Sequence, residues 1–439
     1  MIKNRSIIFI LNFSFVLMLI MLVNGRSILG VSVFGFRVGE YLTGFAAVLL
    51  FLVLFKFKYL SKNMDNKIVI SYIFLFFYFL ISNFVNNVSF LNLYAYKSSV
   101  FIWYMSFLFL GFLIFKNFKI SEVYFIFGYA GLLFQYIFNV IYYPDIFEEF
   151  FNKYSDKTQF LKGSEIAIFF IVVTFFSLRL SKKNHTLDLF ILFSSIYFPL
   201  IIFKSRSAGI AVGLYIISEI FINKANFKIN IKKSIVVSVV SLILFSGSSF
   251  LLIDSVPEIQ ETDQAIAQVF KHKYVVSNTY DTDVSFVYIY EGRLYSADGN
   301  LNWRFQLWQD ILDNSIKNDE VFFGHGFNDR IPIFEEIWYS GLDGSNENSH
   351  NYLINVYIRV GLVGLFVVIY FFYKIIRFEK NNFSNIEFLR FLLPLVFISL
   401  FDGSMENPYF ASIFYFFTGS FFSGIKLSKY GNSLNNKKL

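Results

Sequence analysis

The sequence predicts an all-α polytopic membrane protein of about twelve transmembrane helices, with one large extracytoplasmic loop between the ninth and the tenth. Three observations support this fold class. Of 439 residues, 56% are hydrophobic and 63 are Phe, with a mean hydropathy of +0.56. That is more apolar surface than one water-soluble core can bury. The apolar residues gather into windows of spanning length, and the basic residues gather between alternate windows.

The first window, 6–23, follows a basic start, MIKNR, and has no small-x-small cleavage site, so it is expected to stay as an anchor. Windows at 41–57, 68–85, 98–115, 121–143, 163–180, 187–203, 207–222 and 234–253 complete nine helices over residues 1–253. Three more, at 349–373, 388–401 and 408–425, occupy residues 349–425, and residues 426–439 form a basic tail. The shorter windows suit tilted or re-entrant helices.

The formal charge of +7 would suggest a nucleic-acid partner in a soluble chain. Here MIKNR, KFKYLSKNMDNK, KNFK, RLSKKNH, NKANFKINIKK, KIIRFEKNN and the tail hold more than half of the 38 Lys and Arg, and all fall on one side if the helices alternate. The positive-inside rule then places both termini in the cytoplasm, so the charge reports orientation and implies no nucleic acid. The absence of Cys excludes disulfides, a thiol nucleophile and thiolate metal sites. Four His without H-x-x-x-H or H-x-x-E spacing argue against a metal site, and no glycine-rich phosphate loop supports ATP coupling.

Residues 254–348 are too long for a plain connector. Within them PEIQETDQAIAQVFKHK has helical spacing, VSFVYIY reads as a strand or interfacial ribbon, and DGNLNWRFQLWQDILDNSI reads as a capped helix. Phe305, Trp308 and Leu312 recur at three and four residues, a spacing that would dock this helix on the membrane domain. The loop is rich in Asp and Glu and has only three arginines, Arg293, Arg304 and Arg330.

If a helix starts near Ser349, then His350, Leu353, Ile354, Tyr357, Gly361 and Gly364 share one face, and the two glycines let a neighbouring helix approach. His350 would point into the bundle at the water boundary, where an imidazole suits proton transfer; a plain interfacial anchor is the alternative. Arg359 would lie on the opposite face at mid-membrane, with Glu219 as its expected ion-pair partner.

His350-Asn351, nine residues, Gly361, two residues and Gly364 together resemble the H-N-x9-G-x-x-G signature of the O-antigen ligase and O-antigen polymerase superfamily. The resemblance extends to KSRSAG at 204–209, the loop arginines, FFGHGF at 322–327 and FDGSMENP at 401–408, and so covers the C-terminal half. It implies a type-C glycosyltransferase fold in the bacterial inner membrane. It also implies an inverting reaction on an undecaprenyl-pyrophosphate-linked glycan, with no metal ion, nucleotide sugar or other cofactor. The lipid bilayer is a further partner, and a chain-length regulator and a flippase are the pathway proteins such an enzyme would meet.

By this resemblance His350 is the base, with Asn351 orienting the imidazole or binding sugar, unless it is a helix cap. Arg206 binds pyrophosphate and Lys204 assists it, since an arginine neutralises a departing phosphate without titrating. A second phosphate clamp falls to Arg304 or Arg293. Family members often have Leu four residues after this arginine, whereas Arg304 has Leu307 at three and Trp308 at four. A salt bridge to a loop acid such as Asp310 is the alternative for either. His325 between two glycines, and Asp402 and Glu406 in the last outer turn, are further substrate-binding candidates. The departure at the loop arginine and the size of the loop favour a polymerase over a ligase. A polysaccharide flippase or transporter is the competing class, though no inverted repeat is evident.

Overall fold

The computed structural model describes residues 13, 25, 27–87, 89, 92–117, 122–155, 162–180, 185–227, 231–254, 286–296, 298–336, 339, 346–382 and 385–423. Apart from Phe13, the expected first span lies outside these residues, as do PEIQETDQAIAQVFKHK and the tail. A short hairpin of β1 (Ser32–Val33) and β2 (Phe36–Arg37) leads into α1 (Val38–Phe55), α2 (Phe57–Asn63), α3 (Asn66–Val85), α4 (Leu93–Ser98) and α5 (Val100–Asn117). Next come α6 (Glu122–Tyr136) with a π turn (Ile137–Ile141), α7 (Asp145–Tyr154), α8 (Gly163–Leu180), α9 (His185–Lys204), α10 (Arg206–Phe227) and α11 (Ile231–Asp254). The hairpin β3 (Val287–Tyr290) and β4 (Arg293–Ser296) precedes α12 (Gly299–Lys317), and α13 (Tyr352–Asn382), α14 (Asn385–Ser399) and α15 (Pro408–Phe421) follow. Helix is found within every expected window from 41–57 onward. Among the described residues seven helices are long and apolar enough to cross a membrane, and the chain is an all-α polytopic membrane protein.

Contacts divide the chain into two compact units, Met1–Tyr72 with Val100–Val256 and Phe372–Leu439, and Ile73–Ser99 with Pro257–Phe371. In the first unit α15 is buried along its length, and α5 and α8 nearly so. The abundance of Phe has a packing explanation here. The Phe176 ring lies 5.2 Å from Phe125, 6.0 Å from Phe391, 5.2 Å from Phe417 and 6.2 Å from Phe421. Such pairs hold helices together without burying a polar group.

Helices α5 and α15 cross on two glycines: a Cβ on Gly111 would stand 1.9 Å from the Phe416 carbonyl oxygen, and one on Gly419 2.1 Å from that of Leu108. Small residues permit this approach between apolar helices. Gly419→Ile is therefore expected to destabilise the bundle by about 1–3 kcal/mol or more. A melting temperature in detergent equal to that of wild type would show that the crossing tolerates a side chain.

One buried carboxylate in this unit gathers two arginines. Glu219 of α10, fully buried, accepts hydrogen bonds from Arg179 of α8 at 2.8 Å and Arg390 of α14 at 3.1 Å. This corrects the expected Arg359–Glu219 pair: Glu219 is satisfied by two other arginines, and Arg359 uses different acceptors, described below.

In the second unit β3 pairs with β4 through the turn Glu291–Gly292, both at positive φ, the twist that a two-residue hairpin favours. The next helix, α12, is N-capped by Asp298, whose Oδ1 accepts from Leu301 N at 2.9 Å. Its buried face is not the expected Phe305–Trp308–Leu312 stripe, since Leu312 is 43% exposed. Instead Leu307 and Ile311, flanked by Trp303 and Trp308, pack against Ile331, Ile333, Phe334, Tyr339, Ile354 and Ile358. The stripe at 303, 307 and 311 buries a Trp, a Leu and an Ile within the unit's own core.

Helix α13 differs from the expected continuous span. It begins at Tyr352, and Gly361 interrupts it at φ +61° and ψ −166°. A Cβ there would lie 2.3 Å from Phe322 C and O, so the glycine admits the backbone of FFGHGF, not a neighbouring helix. Leu362 N donates to Val321 O and Val363 N to Phe322 O across the break. At Gly364 a Cβ would meet the Val360 side chain of the same helix at 2.3 Å. The expected shared face from His350 to Gly364 is thus corrected, because the phase is lost at Gly361 and His350 precedes the helix.

Candidate active site

Residues 347–351, ENSHN, form a backbone knot at the start of α13. Asn351 Oδ1 accepts from Leu353 N at 3.0 Å and Ile354 N at 3.2 Å, which caps the helix. His350 takes a left-handed conformation, φ +55°. A non-glycine residue there costs about 1–2 kcal/mol and persists only if its surroundings enforce it. The enforcement is visible. Asn348 Oδ1 accepts from His350 N at 2.6 Å and Asn355 Nδ2 at 3.0 Å, and Asn355 Oδ1 accepts from Ser349 N at 2.9 Å. Trp308 Nε1 donates to Ser349 O at 2.7 Å. The His350 ring, half-buried, lies 5.5 Å from that of Trp303 at 70°.

A second network holds the same segment from the other side. Arg359 donates to the carbonyls of Gly326 at 3.1 Å and Asp329 at 2.8 Å and to the Tyr94 hydroxyl at 3.0 Å. Tyr94 in turn donates to Glu347 Oε2 at 3.0 Å, which also accepts from Lys97 Nζ at 3.2 Å. Burial, the largest influence, raises the Tyr94 pKa above its ordinary value and keeps the hydroxyl a donor. Arg359 thus serves the loops around His350.

The loop arginines fare differently. Arg293 Nη2 lies 2.5 Å from Asp310 Oδ1, and its Nε donates to Gln306 Oε1 at 3.1 Å. Asp310 Oδ2 also accepts the Tyr339 hydroxyl, and burial together with that carboxylate pushes the tyrosine well above its usual range. Arg293 is thereby committed to the salt bridge anticipated for one of the pair. Arg304, half-buried, follows Trp303 on α12. His325 Nδ1 lies 2.8 Å from Glu320 Oε1, and His325 N donates to Ile358 O at 2.7 Å. With Gly324 and Gly326 at φ +71° and +82°, this is a tight turn docked at the α13 break.

In the first unit, α9 and α10 are joined by Ser205 alone, which leaves Lys204 and Arg206 exposed on either side of a sharp corner. Gly209 permits the fold-back, for a Cβ there would lie 2.7 Å from Ile202, and Gly163 at the start of α8 packs against Ser205. Arg206 is the first residue of α10, at the positive end of the helix dipole. Asp402 and Glu406 are half-buried on the turn before α15. The sequence reading missed the buried acid at this end. Glu165 accepts from Asn407 Nδ2 and from Lys162 N, and Asn407 Oδ1 caps α15 by accepting from Tyr409 N at 3.0 Å. The only hint was Glu at the third helical position, a capping-box residue.

Residues 189–369 match the protein family described as O-Antigen ligase. The matched segment holds the Lys204–Arg206 corner, the described loop elements, His350 and the Gly361 break; FDGSMENP lies beyond it. A comparison with curated proteins finds no match.

Proposed function

We propose, from the match of residues 189–369 to the O-antigen ligase family, that the chain is a glycosyltransferase-like membrane enzyme of the O-antigen ligase and polymerase superfamily, and that it is the polymerase. It would join undecaprenyl-pyrophosphate-linked repeat units at the outer face of the bacterial inner membrane. The acceptor hydroxyl attacks C1 of the donor sugar, and its proton passes to the His350 imidazole. Attack comes from the face opposite the pyrophosphate, and the bond from C1 to the pyrophosphate oxygen breaks with its electron pair leaving on that oxygen, so the anomeric centre would invert. Arg206 balances the charge on the departing pyrophosphate, with Lys204 beside it. Arg304 on α12 is proposed as the second phosphate clamp in preference to Arg293, whose guanidinium is paired with Asp310.

The observation that supports a site at His350 is its enforced left-handed backbone inside the family-matched segment, because strain of this kind collects at functional sites; the preference for a polymerase rests on the departure at the loop arginine and the size of the loop. Surface polysaccharide from a deletion strain tests it. Lipid A core bearing one repeat unit identifies a polymerase. Bare core with accumulated lipid-linked polymer identifies a ligase, and an unchanged ladder refutes both.

Arg206→Ala is expected to raise the KM for the lipid-linked donor about 10- to 100-fold, the loss of one charge-assisted phosphate contact of about 1.5–3 kcal/mol. Arg206→Lys should recover only part of it. An unchanged KM in purified enzyme removes Arg206 from the donor site.

A further inference from the structure

Helix α7, Asp145–Tyr154, is amphipathic with unusual sharpness. At 3.6 residues per turn, Ile146, Phe147, Phe150, Phe151 and Tyr154 fall within an arc of about 140°, and Asp145, Glu148, Glu149, Asn152 and Lys153 fill the opposite one. Yet the apolar arc is not buried by protein: Phe151 is 7% exposed, but Ile146 is 73%, Phe147 42%, Phe150 44% and Tyr154 45%. A ten-residue helix is too short to span a bilayer.

The chain on either side limits where this face can go. The π turn that extends α6 ends at Ile141, and only Tyr142, Tyr143 and Pro144 separate it from α7, a reach of about 10 Å. On the other side lies α8, a helix of spanning length and hydropathy. The Phe147 ring packs 5.7 Å from Phe138 in the π turn, which ties α7 to the end of α6. A helix so tethered cannot leave the membrane surface. Its aromatic residues suit the headgroup level, and its acidic arc suits water.

We propose that α7 is an interfacial helix that lies in the plane of the bilayer. Its Ile146–Phe147–Phe150–Tyr154 face is immersed in the boundary between headgroups and acyl chains, at a depth of about 5–10 Å. Its occupant is the lipid surface of the leaflet reached by the ends of α6 and α8. This inference rests on the membrane class alone and is independent of the polymerase reading.

The chain has no cysteine, so single-site labelling needs no background substitutions. Ile146→Cys, Phe150→Cys and, on the acidic arc, Glu149→Cys are each labelled with an environment-sensitive fluorophore in nanodiscs. At 146 and 150 we expect blue-shifted emission, quenched most by lipids with a nitroxide near the headgroup and sheltered from aqueous iodide. The probe at 149 should show the reverse. Iodide quenching at 146 and 150 equal to that at 149 would overturn the proposal by placing the face in water. Shelter from both quenchers would overturn it in favour of a protein partner, including a second copy of this chain.

Discussion

Replacing His350 with glycine is expected to produce an enzyme more stable than wild type and about 10²–10⁴-fold slower. The two effects have separate causes, so they separate the base from the scaffold. Glycine adopts φ +55° without a Cβ penalty and relieves about 1–2 kcal/mol of strain, minus part of that through its looser unfolded chain. In the proposed mechanism, removing the imidazole leaves the acceptor hydroxyl without a proton acceptor in the transition state. His350→Asn completes the test, because asparagine tolerates the left-handed region and retains hydrogen bonding but exchanges no proton near neutral pH. The measurements are the melting temperature in detergent and the rate of polymer formation from lipid-linked repeat units. If His350→Asn retained the wild-type rate, the residue would be an anchor of the loop and the proposed proton transfer would be wrong.

The second large effect concerns stability. Glu219→Leu strips the common partner from Arg179 and Arg390, whose side chains are 6% and 8% exposed. Breaking a buried charge network in this way costs about 3–5 kcal/mol, because uncompensated guanidinium groups remain inside the bundle. Little folded protein should be recovered from membranes. Arg179→Leu is expected to be milder, since Glu219 and Arg390 still form a neutral pair. Equal thermal stability of Glu219→Leu and wild type would mean that water or lipid phosphate reaches the site and solvates both arginines.

Helix positions were legible because apolar runs of spanning length leave the backbone one solution in lipid. The expected window 163–180 coincides with α8, and 207–222 lies within α10. The helix corner at Arg206 and the polar border at His350 were legible too. What failed depended on phase and on distance in sequence. A left-handed glycine at 361 erases the helical register from which the His350 face was deduced. Arg359 finds Tyr94, 265 residues away, and no local pattern announces such a partner. Helix α7 escaped the reading because its average hydropathy is low although its two faces are strongly unlike.

The Tyr94 link also has a consequence for how the chain matures. Tyr94 joins Arg359 and Glu347 across 265 and 253 residues, so the knot around His350 closes a very long loop and cannot form early in synthesis. The N-terminal helices must enter the membrane and wait until most of the chain has left the ribosome. Under the proposed function, a nascent chain acquires its active site only when this contact closes.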